Sequence, residues 1–240
     1  VWRFNEVTVS RAAHSAGLSP QIRHHEPDVL VMDFVENGRA LDEEAVRDAD
    51  MLARIVALVR RCHAELPHHL EVPGPMFWVF NANRRYARMI EAAGGRLSDR
   101  LAELMALNDR LEAGVGPIRP VFCHNDLLAA NLIEDGSRLW LIDWEYGGWN
   151  SALFDLANLA TNNSLDDAQE RRLLSLYCER PPEPALVARF RAMKAASLLR
   201  EALWSRIAEM HSHLDFDYVA YTDEYLARFA RVVAELEAPA

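Results

Sequence analysis

The sequence predicts an α+β chain with a small β-containing portion in front and a large, mainly helical portion behind. Three observations carry this. An apolar, β-branched run at 29–35 is closed by the turn pair Asn37-Gly38. From Asp42 onward apolar residues recur at helical spacing through most of the chain. Two isolated β-type segments, at 121–123 and 139–142, interrupt the helices and bracket a polar loop.

Taken in order, residues 6–16 are small and helix-compatible. Gly17-Leu18-Ser19-Pro20 stops them, because glycine supplies a left-handed cap and proline cannot continue a helix. The chain is then extended, and 29–35 reads as a buried strand. A boundary falls at Gly38 and divides 1–38 from 39–240. The next helical stretch starts at Asp42, places Val46, Leu52, Ile55, Val56, Leu58 and Val59 on one side, and ends before Pro67. Helices at 81–93 and 97–113 come next, broken by Gly114, Gly116 and Pro117. Beyond Leu153 come three or four helices, separated by Asn162-Asn163 and by Pro181, Pro182 and Pro184.

Composition excludes several classes. The chain has 240 residues, half of them apolar, enough for a sizeable core. Its 36 carboxylates against 26 Lys and Arg give a net charge of -10, the wrong sign for a nucleic-acid surface and the right one for a cationic or metal-bound substrate. Cys62, Cys123 and Cys178 are odd in number and lack C-x-x-C spacing, so a reducing cytoplasm is expected rather than disulfides or zinc. No apolar run reaches the roughly 20 residues of a membrane span.

The bracketed loop carries the chemistry. It reads His124-Asn125-Asp126-Leu127-Leu128-Ala129-Ala130-Asn131, and after a turn at Asp135-Gly136 a strand leads to Asp143. A single Asp or Asn in a loop is usually a turn or cap residue. Several of them at this spacing, held between two β segments, suit phosphoryl transfer from ATP. That chemistry needs a carboxylate at the attacking hydroxyl, here Asp126, and oxygen ligands for Mg²⁺, here Asn131 and Asp143.

The wording Cys-His-Asn-Asp-Leu, then Ile142-Asp143-Trp144-Glu145-Tyr146, Asn150, and Phe154-Asp155-Leu156-Ala157-Asn158, resembles the choline/ethanolamine kinases within the aminoglycoside phosphotransferase superfamily. The resemblance implies a protein-kinase-like fold. In it, 1–38 would be the remnant of the N-lobe and hinge, and 39–240 the helical C-lobe with catalytic loop and metal-binding strand. The sequence holds no glycine-rich phosphate loop, so a truncated small lobe is expected.

The resemblance further implies ATP and Mg²⁺ as cofactors and a small amino alcohol as acceptor, choline first and ethanolamine next. It gives Tyr146 and Trp204 to the substrate, the aromatic rings to meet an ammonium by cation–π attraction, while Glu145 and Glu201 are candidate partners for a primary amine or another cation. Glu6, Met32 and Phe34 go to the nucleotide side, while His124 and Asp155 become structural braces. Glu201 stands where eukaryotic relatives often carry a second aromatic. A thiamine or aminoglycoside kinase, or an inert pseudokinase, stay as alternatives.

Overall fold

A computed structural model describes residues 3–27 and 29–237, with side chains from residue 5 onward. The chain forms two compact units, each assembled from two stretches of sequence: Val1–Phe77 with Arg119–Glu183, and Trp78–Ile118 with Pro184–Ala240. Short strands and dominant helices make it α+β, as expected.

The first unit opens with α1 (Arg3–Ser15). Gly17, at φ +68°, ends it: the Gly17 N–H donates to the His14 carbonyl and the Leu18 N–H to the Ala13 carbonyl, a paired closure that needs a left-handed residue between them. Strands β1 (Ile22–Glu26) and β2 (Val29–Met32) then form an antiparallel ribbon clipped by Arg23 and Asp33. The expectation of a buried strand here is corrected, since Val29 and Val31 are 49% and 43% exposed. β1 packs against α1, and a two-stranded ribbon buries only one of its faces on such a partner.

The helical stretch from Asp42 is two helices, α2 (Glu43–Arg47) and α3 (Ala49–Glu65). They part at Asp48, whose carboxylate accepts from the Asp50 and Met51 N–H groups and so caps a new helix start. α3 buries Leu52, Ile55, Val56, Val59, Cys62 and His63.

Five further strands position the site. β4 (Pro120–Cys123) pairs antiparallel with β7 (Gly148–Ser151), Cys123 opposite Gly148. Between them β5 (Leu132–Glu134) pairs with β6 (Leu139–Leu141), Leu132 opposite Leu141, and β3 (Arg39–Ala40) adds to the edge of β5. The two registers have a direct consequence. Residues 124–131 and 142–147 both connect one end of the β4–β7 pair with one end of the β5–β6 hairpin, so the two loops lie side by side. Helices α6 (Ala152–Asn162) and α7 (Asp167–Cys178) complete the unit, α6 being buried over nearly its whole length.

The second unit is helical. It contains α4 (Val79–Ala93), α5 (Leu101–Val115), α8 (Pro184–His211) and α9 (Tyr218–Glu237), around a core that includes Phe80, Ile90, Leu104, Phe190, Met193 and Leu199. Among the described residues no helix is long and apolar enough to cross a membrane.

Candidate active site

The paired loops bring Asp126, Asn131, Asp143, Glu145 and Tyr146 into one region of the first unit. Asp126 is fixed through its backbone: its N–H donates to Nδ1 of His124 (3.3 Å), and its carbonyl accepts from the Leu128 N–H (3.0 Å) and from Nδ2 of Asn131 (3.0 Å). The Asn131 bond also orients that side chain. With its amide nitrogen turned to Asp126, its Oδ1 is the end left to face a cation.

His124 is fully buried, and its Nε2 donates to the Ile142 carbonyl (2.9 Å) while Nδ1 accepts from Asp126. One donor and one acceptor define a neutral imidazole, and burial, which pushes its pKa down, favours the same form. The ring therefore spaces the Asp126 loop from the backbone just before Asp143. It lies edge-on to the buried Trp144, whose indole N–H donates to Ser19.

Asn125 supplies the second cross-tie. It takes a left-handed φ of +66°, donates to the carbonyls of Tyr146 (2.9 Å) and Gly148 (3.2 Å), and accepts from Asn150 (2.8 Å). Asp143, at φ +64° and exposed, is the other left-handed non-glycine at this site. Such a conformation costs on the order of 1 kcal/mol and persists where neighbours over-determine it. Here Ile142 is held from both sides, its N–H on the Asn131 carbonyl and its carbonyl on His124. Gly148 lies so close to the next segment that a Cβ there would stand 2.7 Å from the Pro75 carbonyl oxygen.

Beneath the loops sits Asp155, 1% exposed. It accepts from the backbone N–H of His124 (2.9 Å) and of Asn125 (2.7 Å), and from Nε2 of His63 (2.9 Å). Burial works to raise its pKa. The His63 hydrogen bond first, with the Asn125 N–H, outweighs burial and holds it below the ordinary carboxylate range. Asn158 and Asn163 clasp Leu127 in the same way, one accepting from its N–H (2.5 Å) and the other donating to its carbonyl (3.2 Å).

Sequence reasoning missed His63 and Asn163. The signal for His63 was a histidine continuing the apolar stripe Leu52, Val56 and Val59 at helical spacing, where a polar group needs a buried partner. Among the described residues, His63, Cys123 and Asp155 form the one group close enough to hold a metal, with ligand atoms within 4.8 Å. Burial pushes the Cys123 thiol well up, and Asp155 is already engaged by three donors, so this group is a brace and not a metal centre.

The electrostatics single out the other cluster. Glu145 is half-buried and its pKa is raised, first by burial, then by the charges of Asp143, Asp126 and Glu6, with the Tyr146 hydrogen bond pulling the other way. Four carboxylates thus repel across a small region of this unit. With the oriented Asn131 they supply the oxygen ligand type a hard divalent cation such as Mg²⁺ takes, although among the described residues no three of these carboxylates gather closely enough to hold a metal by themselves. Tyr146 sets its ring edge-on to Phe77 at 5.9 Å. Of the residues expected on the nucleotide side, Glu6 is in α1, Met32 is half-buried at the end of β2, and Phe34 is 86% exposed.

Trp204 and Glu201 belong to the second unit. The Trp204 ring lies edge-on to Tyr218 at 6.4 Å. Glu201 is buried, ion-paired with Arg200, and close enough to Tyr221 and Tyr225 for its charge to help raise both phenols.

Two loops carrying a brace-held Asp, an oriented Asn and a further Asp present the residue types that phosphoryl transfer calls for. The family model described as choline/ethanolamine kinase matches residues 1–175, and the chain belongs to that family. It is 27% identical over 216 residues to protein LicA of Haemophilus influenzae, covering 86% of this chain and 62% of that protein. It is also 27% identical over 267 residues to ethanolamine kinase 2 of Mus musculus, covering 99% of this chain and 68% of the relative. A solved choline/ethanolamine kinase family protein from Mesorhizobium loti superposes with a TM-score of 0.80 at 27% identity, over 99% of this chain and 79% of that one. The fold is accordingly the protein-kinase-like one. The chain thus spans about three fifths to four fifths of the length of these relatives.

Proposed function

We propose that this chain transfers the ATP γ-phosphoryl group to the hydroxyl of a small amino alcohol, in the cytoplasm. The observation that carries the reading is the four-carboxylate region, with Asp126 and Asn131 locked to one another by the loop backbone. Asp126 orients the acceptor hydroxyl and takes its proton as the new P–O bond forms and the γ-phosphorus separates from the β–γ bridging oxygen, which leaves with ADP. Asn131 and Asp143 would hold Mg²⁺, which when bound neutralises charge developing on the phosphate oxygens. Glu145 and Tyr146 face the amine end, the carboxylate answering its charge and the ring its apolar surface. His124 and Asp155 serve as braces. Residues 1–38 carry the small-lobe and hinge portion, where Glu6, Met32 and Phe34 are assigned to the nucleotide side.

Choline and ethanolamine are both candidate acceptors, since the family is named for both. The role of Trp204 rests on the resemblance and is tested by substitution; Glu201, which departs from the family pattern, is a candidate for a cationic amine. Trp204→Ala is expected to raise KM for the amino alcohol about tenfold and leave KM for ATP within about twofold, consistent with a lost cation–π contact of about 1–2 kcal/mol. An unchanged acceptor KM removes Trp204 from the substrate.

A further inference from the structure

One polar contact of the buried brace is unused by the chemistry above. His63 presents Nε2 to Asp155 and Nδ1 to the hydroxyl of Tyr177 in α7, at 2.8 Å, with the two rings edge-on at 5.6 Å. The protonation of the imidazole is set by its partners. Asp155 already accepts two backbone N–H groups, from His124 and Asn125, so it acts as an acceptor throughout. An unprotonated Nε2 facing it would set lone pair against lone pair. Nε2 therefore carries a proton, and a neutral His63 is left with a bare Nδ1 in a side chain that is 3% exposed. The Tyr177 hydroxyl supplies the missing donor. Burial first, with the charge of Asp155, pushes its own pKa far up, so the proton stays on the phenol.

We infer that Tyr177 is a positioning residue for the catalytic loop, acting through His63 and Asp155 to hold the His124 and Asn125 amides and with them Asp126. The chain of contacts is continuous: Tyr177 hydroxyl, His63 ring, Asp155 carboxylate, loop backbone. Without the hydroxyl, Nδ1 is a buried acceptor lacking a donor, and the ring relieves this by turning, which takes Nε2 off Asp155. The loop then loses part of the brace that aligns its carboxylate.

The positioning role of Tyr177 stands on the contacts alone; its effect on turnover rests on the kinase reading. The test is amide hydrogen exchange by NMR on the full chain, for Tyr177→Phe, His63→Gln and the double variant. Gln at 63 keeps an amide N–H for Asp155 and has no Nδ1 for Tyr177 to serve. Tyr177→Phe is expected to speed exchange of the His124 and Asn125 amides about tenfold while amides in α9 stay unchanged. In the His63→Gln background, the same change is expected to add nothing. With an accepted amino alcohol, kcat should fall about fivefold with both KM values within about twofold.

Unchanged exchange at His124 and Asn125 in Tyr177→Phe overturns the inference. So does an equal acceleration in the His63→Gln background, which would mean that the hydroxyl acts by another route. If no turnover is found with any acceptor, that result counts against the kinase reading, and the exchange data still decide the role of Tyr177.

Discussion

Asp155 and Glu145 are two carboxylates of one unit that respond to pH in opposite senses. The pKa of Asp155 is depressed, so its stabilising contribution is present above the ordinary carboxylate pKa of about 4 and is lost as pH falls through the lower folded value. Asp155→Ala is expected to cost about 3–5 kcal/mol in urea unfolding, because two backbone N–H groups and His63 lose their acceptor in the core. A loss below about 1 kcal/mol would mean that the brace is not needed. Glu145 has a raised pKa, so its native state is favoured below the ordinary carboxylate pKa and weakened as pH climbs through the raised value. Glu145→Gln should therefore melt a degree or two higher at neutral pH, on the order of what relief of a half-screened repulsion gives, while amino alcohol binding weakens. A lower melting temperature would show that the repulsion is compensated by groups yet to be identified.

At the scale of elements, the site is made by strand register. Pairing Cys123 with Gly148 and Leu132 with Leu141 sets the two loops side by side in opposite chain directions, and Asn125 ties them across. Asn125→Ala should cost about 2–4 kcal/mol, since it removes donors from two carbonyls, orphans Asn150 and puts a Cβ-only side chain at positive φ. Chemical denaturation measures it, and a cost under about 1 kcal/mol would show that the two loops hold their register without the tie. Asp126, Asn131 and Asp143 were legible in sequence because phosphoryl transfer prescribes residue types at a narrow spacing. The strands around them were less so. Residues 148–151 read Gly-Trp-Asn-Ser and residues 22–26 read Ile-Arg-His-His-Glu, neither with an alternating apolar pattern, because long-range pairing and not local propensity makes them strands. The break at Asp48 was hidden within a continuous apolar period, and it took the side-chain cap to show it. The apolar stripe of its helix marks His63 as buried, but its partner Asp155 lies 92 residues away and leaves no local trace.

At the scale of the whole molecule, a net charge of -10 and a four-carboxylate region favour positively charged ligands. Part of that attraction is long-range, so KM for a cationic acceptor should rise as salt shortens the screening length from about 10 Å at 0.1 M to about 3 Å at 1 M. An acceptor KM independent of salt would place recognition in contacts alone. Family membership and fold agree with this reading, and the choline/ethanolamine kinase family sets the panel to try. The most direct test is turnover of Mg-ATP with choline, ethanolamine, thiamine and an aminoglycoside, with Asp126→Asn alongside. The account predicts phosphorylation of one amino alcohol that falls by about a thousandfold or more in the variant, the scale of a lost positioning and proton-accepting carboxylate. Turnover that survives in Asp126→Asn, or its absence with every amino alcohol, would contradict it.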